Sequence, residues 1–117
     1  MNEQEFKNRT KQVALRAIRM VESLPETRTA AVIGKQLLRS ATSVGANYRA
    51  ACRAKSTADI LAKLAIVEEE ADESIYWMEL LIEAGLIPST RLTDLLREMD
   101  EIVAMTVASI KTLRARR

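Results

Sequence analysis

The sequence predicts an all-α protein, an antiparallel up-down-up-down four-helix bundle that forms a single domain over residues 1–117. Glycine and proline are scarce, with three and two among 117 residues, and long runs rich in Ala, Leu, Glu and Arg favour helix. Apolar side chains recur at helical spacing through four long segments. Short connections at 25–28 and 85–89 make neighbouring helices antiparallel, and a chain of this length holds one core.

The first helix is predicted over residues 3–24, because Pro25 stops it. Leu15 and Ile18 lie nearly opposite its inward stripe, so they leave a second apolar patch once the core is filled. The inward stripe, at helical spacing, consists of Phe6, Thr10, Val13, Ala17, Met20 and Leu24.

The second helix is predicted over residues 29–54. Gly45 in its interior costs about 1 kcal/mol, which indicates either close packing or a slight bend there. Opposite the inward stripe, a row of cations alternates with the small residues Thr42 and Ala46; we call Lys35, Arg39, Arg49 and Arg53 the basic stripe. The inward stripe consists of Ala30, Ile33, Leu37, Ala41, Val44, Tyr48 and Ala51.

The third helix is predicted over residues 57–84, between a capping box formed by Ser56 and Asp59 and a terminating Gly85. It carries two apolar stripes, rotated by roughly 120–140° from each other. Because one helix with two apolar stripes needs two partners, this pattern predicts self-association. The first stripe is Ile60, Leu64, Val67, Ala71, Ser74/Ile75, Met78 and Leu81/Ile82; the second is Ala62, Ile66, Trp77, Leu80 and Ala84, with Glu73 among them.

The fourth helix is predicted over residues 90–115, with Ser89 or Thr90 as its N-cap after Pro88. Its apolar residues form one stripe, as expected for a helix that faces only the core: Leu92, Leu95, Leu96, Met99, Ile102, Val103, Ile110 and Leu113.

Charge is unevenly distributed, although the net charge is only +2. Residues 1–58 carry eleven basic and four acidic side chains, residues 59–101 carry three and twelve, and residues 102–117 carry four and none. Segments of opposite sign can attract each other within the fold, between copies, or toward nucleic acid. A solvated, internally compensated surface is the simplest alternative.

The chain contains no histidine, which bears directly on catalysis. Ser-His-Asp and Cys-His pairs cannot form within it, and neither can the Glu-x-x-His motifs of di-iron bundles. We therefore expect no enzyme activity, no catalytic residue and no cofactor. The acidic run from Glu68 to Glu73 contains oxygen ligands for a hard cation, but its side chains point in several directions. We expect this charged face to meet arginines rather than a metal.

Glu73 lies among apolar neighbours on the second stripe, where a carboxylate requires a cationic or hydrogen-bonding partner. We predict that Arg39 is that partner; a general-acid role is the alternative. Cys52, near Arg49 and Arg53, is interpreted as a small packing residue. Its alternative is a reactive thiol whose pKa the arginines lower.

Several features predict a cytoplasmic protein. The single cysteine, Cys52, cannot form an internal disulfide, as is usual in a reducing compartment. No apolar run approaches the ~18 residues that a membrane span requires. The N-terminal run MNEQEFKNRTK mixes both charges and does not match a secretory signal.

The basic stripe is the candidate for phosphate binding, because its cations repeat at helical-turn spacing with small residues between them. No aromatic residue lies on this face to stack a base, so reading of single-stranded sequence is not expected. No helix pair has the short glycine-containing turn of a helix-turn-helix. The alternative is that the stripe forms salt bridges with the acidic third helix, within or between subunits.

The run from Gln36 to Asn47, QLLRSATSVGAN, resembles the signature of the 23S rRNA-intervening sequence family of four-helix-bundle proteins. The block Leu64-Ala-Ile-Val and the later Glu73 are similar to that family too. Two departures occur: YRAA replaces the usual AEG after Asn47, and Glu69-Glu70 replace the usual Gly-Ser. The chain looks like the subgroup with NYRA and VEEEADES-x-YW.

The resemblance implies an antiparallel bundle that forms a ring-shaped homopentamer. Relatives include the accessory protein of diversity-generating retroelements, which works with a reverse transcriptase and RNA, so such partners are expected by resemblance. The predicted function is that of a non-enzymatic, self-assembling bundle that binds RNA or DNA phosphates. The alternative is a protein-interaction adaptor whose basic stripe is neutralised by the third helix. The predicted interface residues are Leu15, Ile18, Ile66, Glu73, Trp77 and Leu80.

Overall fold

The computed structural model describes residues 2–116 as four α-helices, and the predicted all-α fold class is confirmed. Met1 and Arg117, which the predicted domain includes, lie outside the described residues. A single 3₁₀ turn, Ser89–Arg91, precedes the last helix. The helices are α1 (Glu3–Glu22), α2 (Arg28–Arg53), α3 (Thr57–Glu83) and α4 (Thr93–Ala115).

Side-chain caps begin the first three helices where polar residues precede an apolar run. Asn2 Oδ1 accepts a hydrogen bond from the Glu5 N–H at 2.8 Å, and Thr27 Oγ1 caps α2 in the same way. Ser56 Oγ accepts from the Asp59 N–H at 3.1 Å, so the predicted cap of α3 is present. These caps satisfy N–H groups that have no partner inside the helix.

Gly85 ends α3 as predicted, with a φ of +73° that favours glycine. The Gly85 N–H donates to the Ile82 carbonyl and the Leu86 N–H to the Leu81 carbonyl, each at 3.0 Å. This pair of bonds is a Schellman motif, which satisfies carbonyls that the helix end leaves open.

The predicted start of the fourth helix is wrong. Ser89 and Thr90 lie in the 3₁₀ turn, and α4 begins at Thr93 without a side-chain cap. Leu92 is fully buried at the junction, so the chain turns at this point to place that side chain in the core. Thr93 Oγ1 then donates to the Ser89 carbonyl at 2.9 Å. Elsewhere the predicted ends agree with the observed ones to within two residues.

The core runs along the bundle between all four helices. α1 packs on α2, α2 on α3, α3 on α4, and α1 on α4. A smaller cluster of Ala51, Leu64 and Ile110 lies where α2 ends and α3 begins. The main core includes Phe6, Val13, Ala17, Leu37, Ala41, Val44, Val67, Ala71, Met78, Leu81, Ile87, Leu92, Leu95, Met99 and Ile102.

Two close contacts set the register of the first three helices. A methyl group placed on Gly45 would lie 3.2 Å from Thr10 Oγ1, so the glycine serves the close approach of α1 and α2. Ser40 Oγ and Ser74 Oγ are 2.8 Å apart and join α2 to α3 inside the core. Each serine hydroxyl also lies within hydrogen-bond distance of a carbonyl of its own helix. One serine therefore donates to the other, which donates its own proton to its helix carbonyl, and the buried pair has no unsatisfied hydroxyl.

Arg9 links α1 to α4. Its guanidinium donates two hydrogen bonds to the Glu98 carboxylate, at 2.7 and 2.8 Å, and a third to Glu101 at 3.2 Å. The hydrogen bonds and charge of Arg9 lower the pKa of Glu98 below its ordinary value. This bidentate pair is less exposed than the other ion pairs of the described chain, a geometry in which such pairs are strongest.

Replacement of Gly45 by valine should destabilise the bundle by about 1–3 kcal/mol, because the added atoms collide with Thr10. The measurement is urea unfolding followed by circular dichroism. Ala46→Val is the matched control, since its neighbouring site is exposed and valine there costs less than about 1 kcal/mol. Equal stability of the two variants would contradict the close-packing account.

The Arg9–Glu98 pair should make stability depend on acid pH. The unfolded state binds the proton more readily, because the folded pKa of Glu98 is lowered. The stabilisation that the Arg9–Glu98 pair contributes to the folded state is therefore fully present above the ordinary glutamate pKa of about 4.3. It is lost as pH falls through the folded pKa.

We expect Arg9→Met to reduce the free energy of unfolding by about 1–2 kcal/mol at neutral pH and by progressively less below pH about 4. Urea unfolding across pH measures this difference. Arg97→Met is the control, because the Arg97–Asp94 pair is largely exposed. A loss with Arg9→Met that does not change with pH would contradict the assignment.

Candidate nucleic-acid and self-association surfaces

The basic stripe lies along α2, and its four side chains are all exposed. The structure divides them into two groups. Arg39 is held by α3, whereas Lys35, Arg49 and Arg53 form no ion pair with any residue from 2 to 116. The stripe is therefore not one uniform surface.

Arg39 is the centre of a network that joins α2 to α3. Its Nη1 atom lies 3.3 Å from both carboxylate oxygens of Glu70, and its Nη2 atom pairs with Glu73 Oε2. Trp77 Nε1 donates to the same Glu73 oxygen at 2.9 Å. The predicted pairing of Arg39 with Glu73 is thus present. Two carboxylates offset the charge of Arg39, which removes it from the cations open to phosphate.

Arg49 lines a groove between α1 and α2. The groove has a volume of about 410 Å³ and contains two further cations, Lys7 and Lys11. Lys7 also pairs with Glu3 at 3.4 Å. None of the lining residues is acidic: they are Gln4, Lys7, Asn8, Thr10, Lys11, Ala14, Thr42, Gly45, Ala46 and Arg49. We call this site the basic groove.

Sequence reasoning missed Lys7 and Lys11, because helical spacing within one segment does not show which residues of another helix lie beside it. Gly45 is the sequence feature that could have indicated this packing of α1 on α2. A glycine inside a helix marks a close approach, and here the approach brings Thr10 and its neighbours on α1 against the basic stripe. The basic groove is therefore a product of helix packing, not of one motif.

The predicted interface residues lie at the surface with different degrees of exposure. Leu15 and Ile18 are 39% and 38% exposed. Trp77 is half-buried and packs partly against the core. Sequence reasoning did not single out Val32 or Tyr76, which are 58% and 53% exposed. The remaining predicted interface residues, Ile66, Glu73 and Leu80, are half-buried on α3.

Cys52 has a raised pKa, chiefly because of burial. The idea that Arg49 and Arg53 lower it is therefore wrong, and the half-buried side chain fits the packing role instead. The neighbouring Tyr48 also has its pKa raised well above the usual range, by burial and by Cys52. Its ring packs edge-on against Phe6, with centroids 4.5 Å apart.

Residues 2–116 contain neither a cluster of metal ligands nor a membrane-spanning helix. No three side chains of the Cys, Asp or Glu type converge there as metal ligands, and Glu70 and Glu73 of the acidic run face Arg39 instead. No helix in this part of the chain combines the length and apolar character needed to cross a membrane.

The chain matches a protein family in sequence and a solved protein in structure. The family model described as 23S rRNA-intervening sequence protein matches residues 2–108. A crystal structure of a protein of unknown function from the S23 ribosomal protein family of Bacteroides thetaiotaomicron VPI-5482 is 35% identical, with a TM-score of 0.88. That match covers 95% of this chain and 99% of the other. No curated protein matches.

Proposed function

This chain belongs to the 23S rRNA-intervening sequence protein family, and from that premise we propose that it is a non-enzymatic bundle that assembles with itself and binds RNA or DNA phosphates. The observation that carries the proposal is that apolar side chains remain on two sides of the bundle after its core is complete. The assembly is proposed to be a homopentamer, by resemblance to ring-forming relatives.

Self-assembly is supported by the distribution of apolar surface. Leu15 and Ile18 are exposed on α1, and Tyr76 is exposed on α3 beside the half-buried Trp77 and Leu80. Removing apolar surface from water contributes roughly 25 cal/mol per Å². Contiguous apolar patches on a soluble domain mark interaction sites. Two such patches on different helices suit contacts between copies.

Phosphate binding is supported by the cations that remain without carboxylate partners. Lys35, Arg49 and Arg53 are exposed on α2, and Arg49 shares the basic groove, which no acidic residue lines, with Lys11. Cations without acidic neighbours bind phosphodiester backbones by releasing counterions. No aromatic side chain is among the groove residues, so the contact suits backbone rather than base.

The alternative function is a protein-interaction adaptor whose basic stripe is neutralised by acidic α3 residues. The pairing of Arg39 with Glu70 and Glu73 favours it. Within the described chain that neutralisation does not extend to Lys35 or Arg53, which favours the nucleic-acid proposal. A reverse transcriptase is the protein partner that the family resemblance suggests.

Trp77→Ala combined with Leu80→Ala should break the assembly, because both side chains belong to the second apolar stripe. We expect the mass measured by light scattering to fall toward that of one chain, 13.1 kDa, while circular dichroism remains helical. Leu96→Ala with Val103→Ala is the control, since these half-buried residues lie on α4. A wild-type mass in the Trp77/Leu80 variant would rule out this stripe as the interface.

Arg49→Ala combined with Arg53→Ala should weaken binding to a labelled single-stranded RNA. Loss of two phosphate contacts should reduce the slope of log affinity against log salt by about 1.4, and fluorescence anisotropy between about 50 and 200 mM salt measures it. Arg91→Ala with Arg97→Ala removes the same charge near the start of α4 and should leave the slope unchanged. Wild-type binding that does not depend on salt would favour the adaptor.

A further inference from the structure

One exposed row on α1 has a cation on each side of an apolar side chain. Lys11, Leu15 and Arg19 follow one another at intervals of four residues and are all exposed. Neither cation forms an ion pair with another residue in the described range. At 1.5 Å per residue, the two cations are about 12 Å apart along the helix. Ile18 adds a second apolar side chain, 38% exposed, beside Leu15.

An exposed row on α3 has the opposite charges around an aromatic centre. Asp72, Tyr76 and Glu79 are exposed at helical spacing, and the two acids are about 10.5 Å apart along the axis. Neither acid pairs with a cation of residues 2–116. Glu69 and Glu83 continue the same acidic row in both directions. The two rows therefore match in charge, spacing and apolar centre.

We propose that the α3 row of one copy docks head-to-tail on the α1 row of a second copy. Tyr76 packs on Leu15 and Ile18, Asp72 pairs with Lys11, and Glu79 pairs with Arg19. The inference rests on the proposed self-assembly and adds the register of the contact. Its α3 side is centred on Tyr76, whose ring contacts Trp77 of the second apolar stripe. Lys11 leaves the basic groove to pair with Asp72, whereas the basic-stripe residues Lys35, Arg49 and Arg53 lie outside this contact and stay open to phosphate.

The two rows lie at the same height along the bundle. Thr10 lies beside Gly45, and since α1 and α2 run in opposite directions, Leu15 is level with Ser40. Ser40 contacts Ser74 at 2.8 Å, so Leu15 is level with Ser74. Tyr76 is two residues farther along α3, about 3 Å away in height. A contact between level faces adds almost no rise from copy to copy, so the helices of neighbouring copies lie side by side.

The two rows also lie on opposite sides of the molecule. α1 and α3 each pack against both α2 and α4, so they occupy opposite corners of the bundle. Each copy can therefore contact one neighbour through α1 and another through α3, as a heterologous assembly requires. For the same reason the α1 row cannot reach the α3 row of its own chain. The charges can meet between chains only.

Charge exchange tests this contact directly. Lys11→Glu with Arg19→Glu, and separately Asp72→Lys with Glu79→Lys, should each reduce the mass measured by light scattering, because like charges then face each other. The four-site variant, which has the wild-type net charge, should regain the wild-type mass. It should not co-assemble with the wild-type chain. Circular dichroism verifies that each variant folds.

A matched variant on α4, Lys111→Glu with Arg114→Glu, changes the charge equally and should leave the mass unchanged. If the wild type assembles and both two-site variants keep its mass, the docking inference is overturned while the proposed self-assembly stands. A wild-type chain that stays monomeric at all concentrations overturns the proposed self-assembly itself. A mass that grows without limit as concentration rises overturns the proposed homopentamer.

Discussion

The close approach of the first three helices is the constraint on which the other features depend. Gly45 lets α1 lie against α2 at Thr10, and the buried Ser40–Ser74 hydrogen bond holds α2 and α3 in one register. Because side chains on a helix surface change direction with each residue, a different register would separate Arg39 from Glu73. It would also take Lys11 away from Arg49. The buried core supplies most of the stabilisation, whereas these two contacts determine which surface residues become neighbours.

Only some of the basic side chains in the first half of the sequence form ion pairs with acidic side chains of the second half within the bundle. Arg9 pairs with Glu98 and Glu101, and Arg39 pairs with Glu70 and Glu73. Both clusters join a basic segment to an acidic one across a helix interface. Outward-facing cations such as Lys11 and Arg49, and outward-facing acids such as Asp72 and Glu79, form no ion pair within residues 2–116. The charge pattern therefore joins helices on some faces and stays unpaired on others.

Periodicity within one segment predicted the helices, their buried faces and the end of α3, because these depend on local spacing and on Gly85. The start of α4 was mispredicted, since the burial of Leu92 outweighed the capping preference of Ser89 and Thr90. The pairing of Arg39 with Glu73 could be predicted, because an unpaired carboxylate among apolar neighbours loses hydration free energy on folding. Lys7 and Lys11 could not be assigned to a site, because their relation to Arg49 exists only after the helices pack. Burial, which periodicity does not measure, raises the pKa of Cys52, which contradicts the reactive-thiol alternative and agrees with the expected packing role.

The hydrogen bond from Trp77 to Glu73 places the intrinsic fluorescence of the protein at one defined site. The chain has one tryptophan. Its indole N–H donates to the Glu73 carboxylate, which also forms an ion pair with Arg39. Indole emission responds to nearby charge and to water, so the entire tryptophan signal of the protein originates at the junction of α2, α3 and the second apolar stripe. Covering this junction, or breaking the ion pair beneath it, therefore changes the fluorescence of an unlabelled chain.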